Sequence, residues 1–215
     1  MELERVAENL RKNQMEAYVV PDKAAAYAKV KELLKPGDTV SVGGSKTLDQ
    51  CDILSLLRCG DYHFLDRYEP GLTREQITEI YRKSFFADAY LCSSNAVTED
   101  GVLYNVDGNS NRVTAIGYGP ASVILIVGKN KIVKDLDEAI YRVKTIAAPL
   151  NAMRLNCKTP CAKLGHCISL DTKEHPEMAD GCQTSGRICC NYLVSGQQRH
   201  PGRIKVILVD EELGM

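Results

Sequence analysis

A chain of 215 residues that is 44 % hydrophobic and 26 % charged is long enough to bury a full core and too apolar to stay disordered. Its 27 basic and 28 acidic side chains leave a formal net charge of −1, which provides no electrostatic footprint for nucleic acid or an anionic membrane surface. No apolar run approaches the length that spans a bilayer, so small molecules and other proteins are the expected partners.

Leu3, Val6, Ala7 and Leu10 recur at helical spacing, after an acidic start unlike a signal peptide, which makes the reducing cytoplasm the expected compartment. Ala17 to Val20, stopped by Pro21, reads as a strand. Tyr27, Val30 and Leu34 mark a second helix that ends at Pro36-Gly37-Asp38. Thr39 to Val42 is a compact strand running into Gly43-Gly44-Ser45, and the next helix carries Leu48, Leu56 and Leu57. Tyr62 to Leu65 is a third strand, and Thr73-Arg74-Glu75-Gln76 has capping-box spacing ahead of a helix bearing Ile77, Ile80, Tyr81 and Phe85. Ala89 to Cys92, Val102 to Val106 and Ser122 to Val127 follow as strands, with Gly128 to Lys131 predicted as a hairpin turn into Ile132-Val133. A long helix from Leu136 shows a stripe of Ala139, Ile140, Val143, Ile146, Ala147 and Leu150, and Ile204 to Val209 returns to strand.

Strands alternating with helices predict an α/β domain over residues 1–215, a mostly parallel sheet with helices on both faces and ligands at the carboxyl ends of its strands. Residues 156–200 form a cysteine-rich segment within it, too short to fold without a staple. There is no internal repeat or extended linker.

Two segments are candidate binding elements. In Gly43-Gly44-Ser45-Lys46-Thr47 the glycines let backbone N–H groups approach a ligand, and Ser45, Lys46 and Thr47 add donors, a seat suited to phosphate or carboxylate. The spacing is not that of a P-loop. The second is the polar run from Asn95 through Glu99, Asp100, Gly101, Asn105 and Asp107 to Asn111 and Arg112, which is costly to bury unless its members bond one another or a ligand. Its Asp-Gly pairs also read as turns. A carboxyl facing the glycine turn would move a proton beside a bound anion, with Glu99 as the preferred base and Asp100 beside it.

The run Asn95-Ala96-Val97-Thr98-Glu99-Asp100-Gly101-Val102-Leu103-Tyr104-Asn105-Val106-Asp107-Gly108-Asn109-Ser110-Asn111-Arg112-Val113, with Val42-Gly43-Gly44-Ser45-Lys46-Thr47-Leu48, resembles the LUD domain of lactate-utilization proteins over nearly the whole chain. The resemblance implies a three-layer fold similar to the ribose-5-phosphate isomerase and CoA-transferase group. It also implies a role beside iron–sulfur oxidoreductase partners in oxidation of L-lactate to pyruvate. A non-catalytic regulatory subunit and a stand-alone isomerase or acyl-transfer enzyme are the alternatives, and the chain is compatible with a homo-oligomer.

Of nine cysteines, Cys157, Cys161, Cys167, Cys182, Cys189 and Cys190 cluster late in the chain. In a reducing compartment such grouping favours ligands over disulfides. Cys161 to Cys167 and Arg187-Ile188-Cys189 resemble the cysteine segment of single-domain LUD proteins, with a longer gap here before Cys182. Cys161, Cys167, Cys182 and Cys189 are therefore the expected ligands of zinc or an iron–sulfur cluster, with Cys157 and Cys190 as alternates and His166, His175 and His200 as possible replacements. Reduced thiols packed as small hydrophobes are the plainer reading. Cys51, Cys59 and Cys92 read as core fillers.

Overall fold

The computed structural model describes residues 2–215. Helix α1 (Glu2–Lys12) leads into strand β1 (Glu16–Val20) and α2 (Lys23–Leu33), which starts where the Asp22 carboxylate accepts the Ala25 N–H. Next come β2 (Thr39–Val42), α3 (Lys46–Gln50), α4 (Ile53–Leu57), β3 (His63–Leu65) and α5 (Arg74–Lys83). The capping box expected for α5 forms reciprocally between Thr73 and Gln76. Then follow β4 (Ala89–Cys92), β5 (Ala96–Thr98), β6 (Leu103–Asp107), α6 (Asn111–Gly117), β7 (Ser122–Gly128), β8 (Ile132–Val133) and α7 (Leu136–Arg142). A π-helical turn over Val143–Ala147 continues α7 into α8 (Ala148–Arg154), and α9 (Pro160–Leu164), β9 (Asn191–Ser195) and β10 (Ile204–Val209) complete the described chain.

Six strands form one sheet in the order β1-β10-β7-β4-β2-β3, with every pairing parallel. Its strands are continuous apolar runs because both faces are covered. The strand period of two sends Ile124 and Ile126 of β7, with Ile207 and Val209 of β10, toward α2, α3 and α4. Val123, Leu125 and Val127, with Val206 and Leu208, face the opposite way onto Val6, Ala7 and Leu10 of α1 and Ala115 and Ile116 of α6. The architecture is thus three-layer α/β, as expected. No helix among the described residues is long and apolar enough to cross a membrane.

A second sheet, in the order β8-β5-β6-β9, stands beside the first. Here the structure departs from expectation. Gly128 to Lys131 is not a hairpin: after β7 a single 3₁₀ turn over Lys129–Lys131 carries the chain out of the main sheet into β8, which pairs parallel with β5. Strand β9 lies inside the cysteine-rich segment and pairs antiparallel with β6 from Leu103↔Ser195 to Asp107↔Asn191. That pairing anchors the segment to the second sheet.

Candidate functional site

Strands β2, β4 and β7 are neighbours in the main sheet, and the residues after their carboxyl ends meet. After β2 the chain turns at Gly43 into Gly44 and Ser45, after β4 comes Ser93, and after β7 the 3₁₀ turn presents Lys131. The Lys131 Nζ donates to Thr47 Oγ1 and Ser93 Oγ, both at 2.9 Å, so one amine ties the three strand ends together. Gly43 is required by crowding: a Cβ there would stand 3.0 Å from Arg112 Cδ and 3.1 Å from both Cys92 Cβ and the Tyr90 hydroxyl.

The cleft above these residues has a volume of about 300 Å³ and draws lining from both expected motifs. Gly44, Ser45, Lys46 and Thr47 come from the first, and Asn95, Asp107, Asn111 and Arg112 from the second. Several are fully engaged in holding the site's shape. The Arg112 guanidinium donates to Ser93 O, Asn105 Oδ1, Asn95 Oδ1 and Val106 O at 2.6–3.1 Å. The Asp107 carboxylate accepts backbone N–H groups of Asn109, Arg112 and Val113, and Ser45 Oγ caps α3 by accepting from Leu48 N. Arg112, Asn95, Asn105 and Asp107 therefore form a scaffold, with the buried Tyr90 hydroxyl and Asn105 Nδ2 left without a protein partner.

Other groups in the cleft remain available. Arg67 is stacked between the rings of Tyr68 and Tyr81, 5.3 and 4.8 Å from their centroids. Arg154 donates to Asn151 Oδ1. Arg67 Nη1, the Tyr68 hydroxyl and Arg154 Nη2 converge at 3.6, 3.7 and 3.8 Å on the point where a Gly44 Cβ would stand. Among the described residues no side-chain carboxylate pairs with either arginine, and Asp107 is the one acidic side chain of a lining that includes Lys46, Arg67, Arg112, Lys131, Arg154 and Arg187. A cleft so unbalanced in charge carries a positive potential.

Lys131 is the most perturbed cation. It is 4 % exposed, and its pKa is lowered to about 7, first by burial and then by Arg142 and Arg112, against the opposing pull of the Cys92 and Cys51 thiols.

Glu99 and Asp100 do not join the cleft. They sit at the β5–β6 turn, where the Glu99 carboxylate pairs with Arg5 of α1 and the Asp100 carboxylate accepts from Thr98 Oγ1. Gly101 completes that turn with φ +84° and is packed against the backbone of Asn9 and Leu10, where a Cβ would come within 2.7 Å of main-chain atoms. The Asp100-Gly101 signal was thus a turn that docks α1, and a surface ion pair accounts for Glu99.

The cysteine segment lines a second, narrow cavity with a volume of about 30 Å³. Cys161, Cys167, Cys182 and Cys189 line it, together with apolar groups that include Tyr104, Ile140, Val143 and Met178. Cys157, Cys190, His166, His175 and His200 are not in its wall. The Cys189 thiol is pushed up to about 12 by burial and by the neighbouring Cys161, Cys167 and Cys182. Even so, no group of three His, Cys, Asp or Glu side chains among the described residues stands close enough to hold a single metal ion. The sulfurs share a cavity without converging on a point. Arg187 organises this loop, donating to Cys189 O, Cys182 O, Ala179 O and the Tyr192 hydroxyl. Arg187 and Ile188 line both cavities and are the wall between them.

Residues 3–209 match the family model described as the LUD domain. Among solved structures, a DUF162 family protein from Deinococcus radiodurans has a TM-score of 0.51 and 17 % identity, covering 97 % of this chain and 96 % of that one, a likeness of fold. An eIF2B beta structure from Chaetomium thermophilum aligns with a TM-score of 0.34 and 18 % identity over 53 % of this chain and 42 % of that one, too little to bear on the fold. No curated protein matches the chain.

Proposed function

The chain belongs to the LUD domain family, and from that premise we propose that its cleft binds a small carboxylate or phosphorylated metabolite. The observation that carries this reading is the convergence of Arg67 and Arg154 on Gly44 with no carboxylate between them. Two like charges facing one point of a cleft are stabilised by an anion placed between them, and guanidinium groups pair with carboxylate or phosphate through paired N–H donors. Titration calorimetry with inorganic phosphate, L-lactate and pyruvate tests it. Replacing Arg67 and Arg154 together by alanine is expected to weaken the best of these ligands by about a hundredfold, two charge-assisted contacts at about 1.4 kcal/mol each. Unchanged affinity in a folded double variant would refute the reading.

We further propose that the bound acid is L-lactate or pyruvate and that the chain works beside iron–sulfur oxidoreductase partners. The cysteine cavity supports that role through its donor set and its position. A zinc ion with bonds of about 2.3 Å needs its sulfurs about 3.8 Å apart around one point, and the four thiols are not so arranged. An iron–sulfur cluster is held at separate corners and suits four soft donors around an apolar cavity. When bound by Cys161, Cys167, Cys182 and Cys189 it would supply one-electron transfer. Because Arg187 and Ile188 line both cavities, such a centre would lie next to the anion cleft.

Anaerobic reconstitution is expected to give stoichiometric iron and a visible absorption that dithionite bleaches. Cys161→Ser should lose most of the iron, whereas Cys190→Ser, whose thiol points to Arg187 O outside the cavity, should retain it. Iron content at background in the wild-type protein would remove the electron-transfer role and leave the anion cleft intact.

A further inference from the structure

Buried lysines are rare unless they are paired with an acid. Lys131 departs from that pattern: its two short bonds go to the hydroxyls of Thr47 and Ser93. The ionisable groups acting on it are Arg142 from α7, Arg112 from α6, Cys92 from β4 and Cys51 just after α3. Two are cations and two are thiols, and no carboxylate stands among them. The amine nevertheless lines the cleft that carries Arg67 and Arg154.

We infer that Lys131 is a nucleophilic amine that condenses with the carbonyl group of a compound also bearing a carboxylate or phosphate, and holds it as an imine. The inference rests on the anion-binding reading of the cleft, since Arg67 and Arg154 are the groups that would seat the acidic end.

The geometry supplies what the amine itself requires, and Gly214 packs beside it, where a Cβ would stand 2.8 Å from Lys131 Nζ. A neutral amine has two N–H bonds and one lone pair. Thr47 and Ser93 accept the two N–H bonds and leave the lone pair as the unused valence of the nitrogen. A depressed pKa near 7 keeps a large share of the amine neutral at physiological pH, which an exposed lysine near 10.4 does not achieve. In the addition step the nitrogen lone pair forms the N–C bond as the C=O π pair moves to oxygen. The ammonium proton passes to that oxygen, with the Ser93 or Thr47 hydroxyl as relay. The carbinolamine then loses its second nitrogen proton and its oxygen as water, so that C=N replaces C=O with no oxidant or reductant consumed. The resulting imine, once protonated, is an electron sink for the bonds beside it. This places the chain among activities that make or break a bond next to a carbonyl carbon.

Pyridoxal 5′-phosphate is used as a probe because it combines an aldehyde with a phosphate, and pyridoxal as its control lacking the phosphate. Each is incubated with the folded full chain at pH 7, reduced with borohydride and mapped by peptide mass spectrometry. Lys131 is expected to carry label at more than about tenfold the level of exposed lysines such as Lys163, following its larger neutral fraction, and to favour the phosphorylated probe. Excess inorganic phosphate should suppress it, and Lys131→Met should remove the imine absorption band. The wild-type peptide map decides the matter even if that variant folds poorly. Label spread over surface lysines, with Lys131 at or below their level, would overturn the inference. Phosphate-sensitive binding of the probe without reduction onto Lys131 would overturn it while leaving the anion seat standing. Equal labelling of Lys131 by both probes would keep the amine and remove the anion seat.

Discussion

Arg112→Met is expected to cost about 3 kcal/mol of stability, the upper end of the range for leaving buried acceptors without their donor. In a chain of this size that lowers the melting temperature by on the order of 10 °C. Arg112 donates to two backbone carbonyls and two asparagine side chains that connect the end of β4, the start of β5 and the end of β6. Methionine fills the volume but leaves Ser93 O, Val106 O and Asn105 Oδ1 without that donor. Asn105 is fully buried, so water does not readily replace the lost bond. Arg67→Met, which removes a cation from the same cleft without breaking such a web, serves as the control and should change stability by less than about 1 kcal/mol. Denaturant unfolding of the two variants makes the comparison, and an equal, small loss in both would show that the Arg112 web contributes little.

A second large effect is expected in the pH dependence of stability. Because Lys131 titrates near 7 in the folded chain and near 10.4 when unfolded, the unfolded state holds a proton that the folded state lacks throughout that interval. Stability contributed by this group therefore rises with pH, by up to about 1.4 kcal/mol per unit between roughly 7 and 10, and is flat below 7, where both states are protonated. The buried thiols of Cys51 and Cys92 are pushed up by desolvation and act in the opposite direction at alkaline pH. For that reason the quantity to read is the difference between wild type and Lys131→Met, measured by denaturant unfolding at pH 7, 8 and 9. Wild type should gain on the variant by more than about 1 kcal/mol across that range. Parallel curves would mean that Lys131 titrates like an exposed lysine.

The parts of this molecule that periodicity encodes were legible in the sequence. The short apolar runs of the strands, the stripe of α1, the capping box at Thr73 and the glycine turn after β2 all follow from local rules, and they place one half of the cleft. Asn95 to Arg112 could be recognised as a polar element that must satisfy itself or a ligand, but not which of its members would be spent on the element. Four bonds from Arg112 answer that, and they depend on a three-dimensional closure that no spacing reports. Lys131 was hidden for a related reason. Gly128-Lys129-Asn130-Lys131 has the composition of a hairpin, and only the switch of β8 to another sheet turns its last residue inward. The general preference for ligands beyond strand carboxyl ends, applied to β7 as it was to β2, would have singled it out. Arg67 and Arg154 carry no local mark at all. They come from separate elements that tertiary packing brings to Gly44. The cysteines behave in the reverse manner, since clustering in sequence does select four that share a cavity, while their spacing says nothing of the wall they share with the cleft.

The π-helical turn between α7 and α8 has a further consequence. Ile140, Val143, Lys144 and Ala148 of this continuous rod look into the cysteine cavity, whereas Ala147, Asn151 and Arg154 look into the anion cleft. A π turn accommodates one residue more than a regular helix, and each residue turns the rod by about 100°. The extra residue thus works as a phase shifter, setting the angle at which one shaft addresses two chambers. Side chains along the shaft can vary within that timing. Its phase cannot: an insertion of one residue after the turn would rotate Arg154 away from Gly44 while Lys144 stayed with the cysteines, whereas a deletion near Thr145 would only regularise the turn that already absorbs that residue.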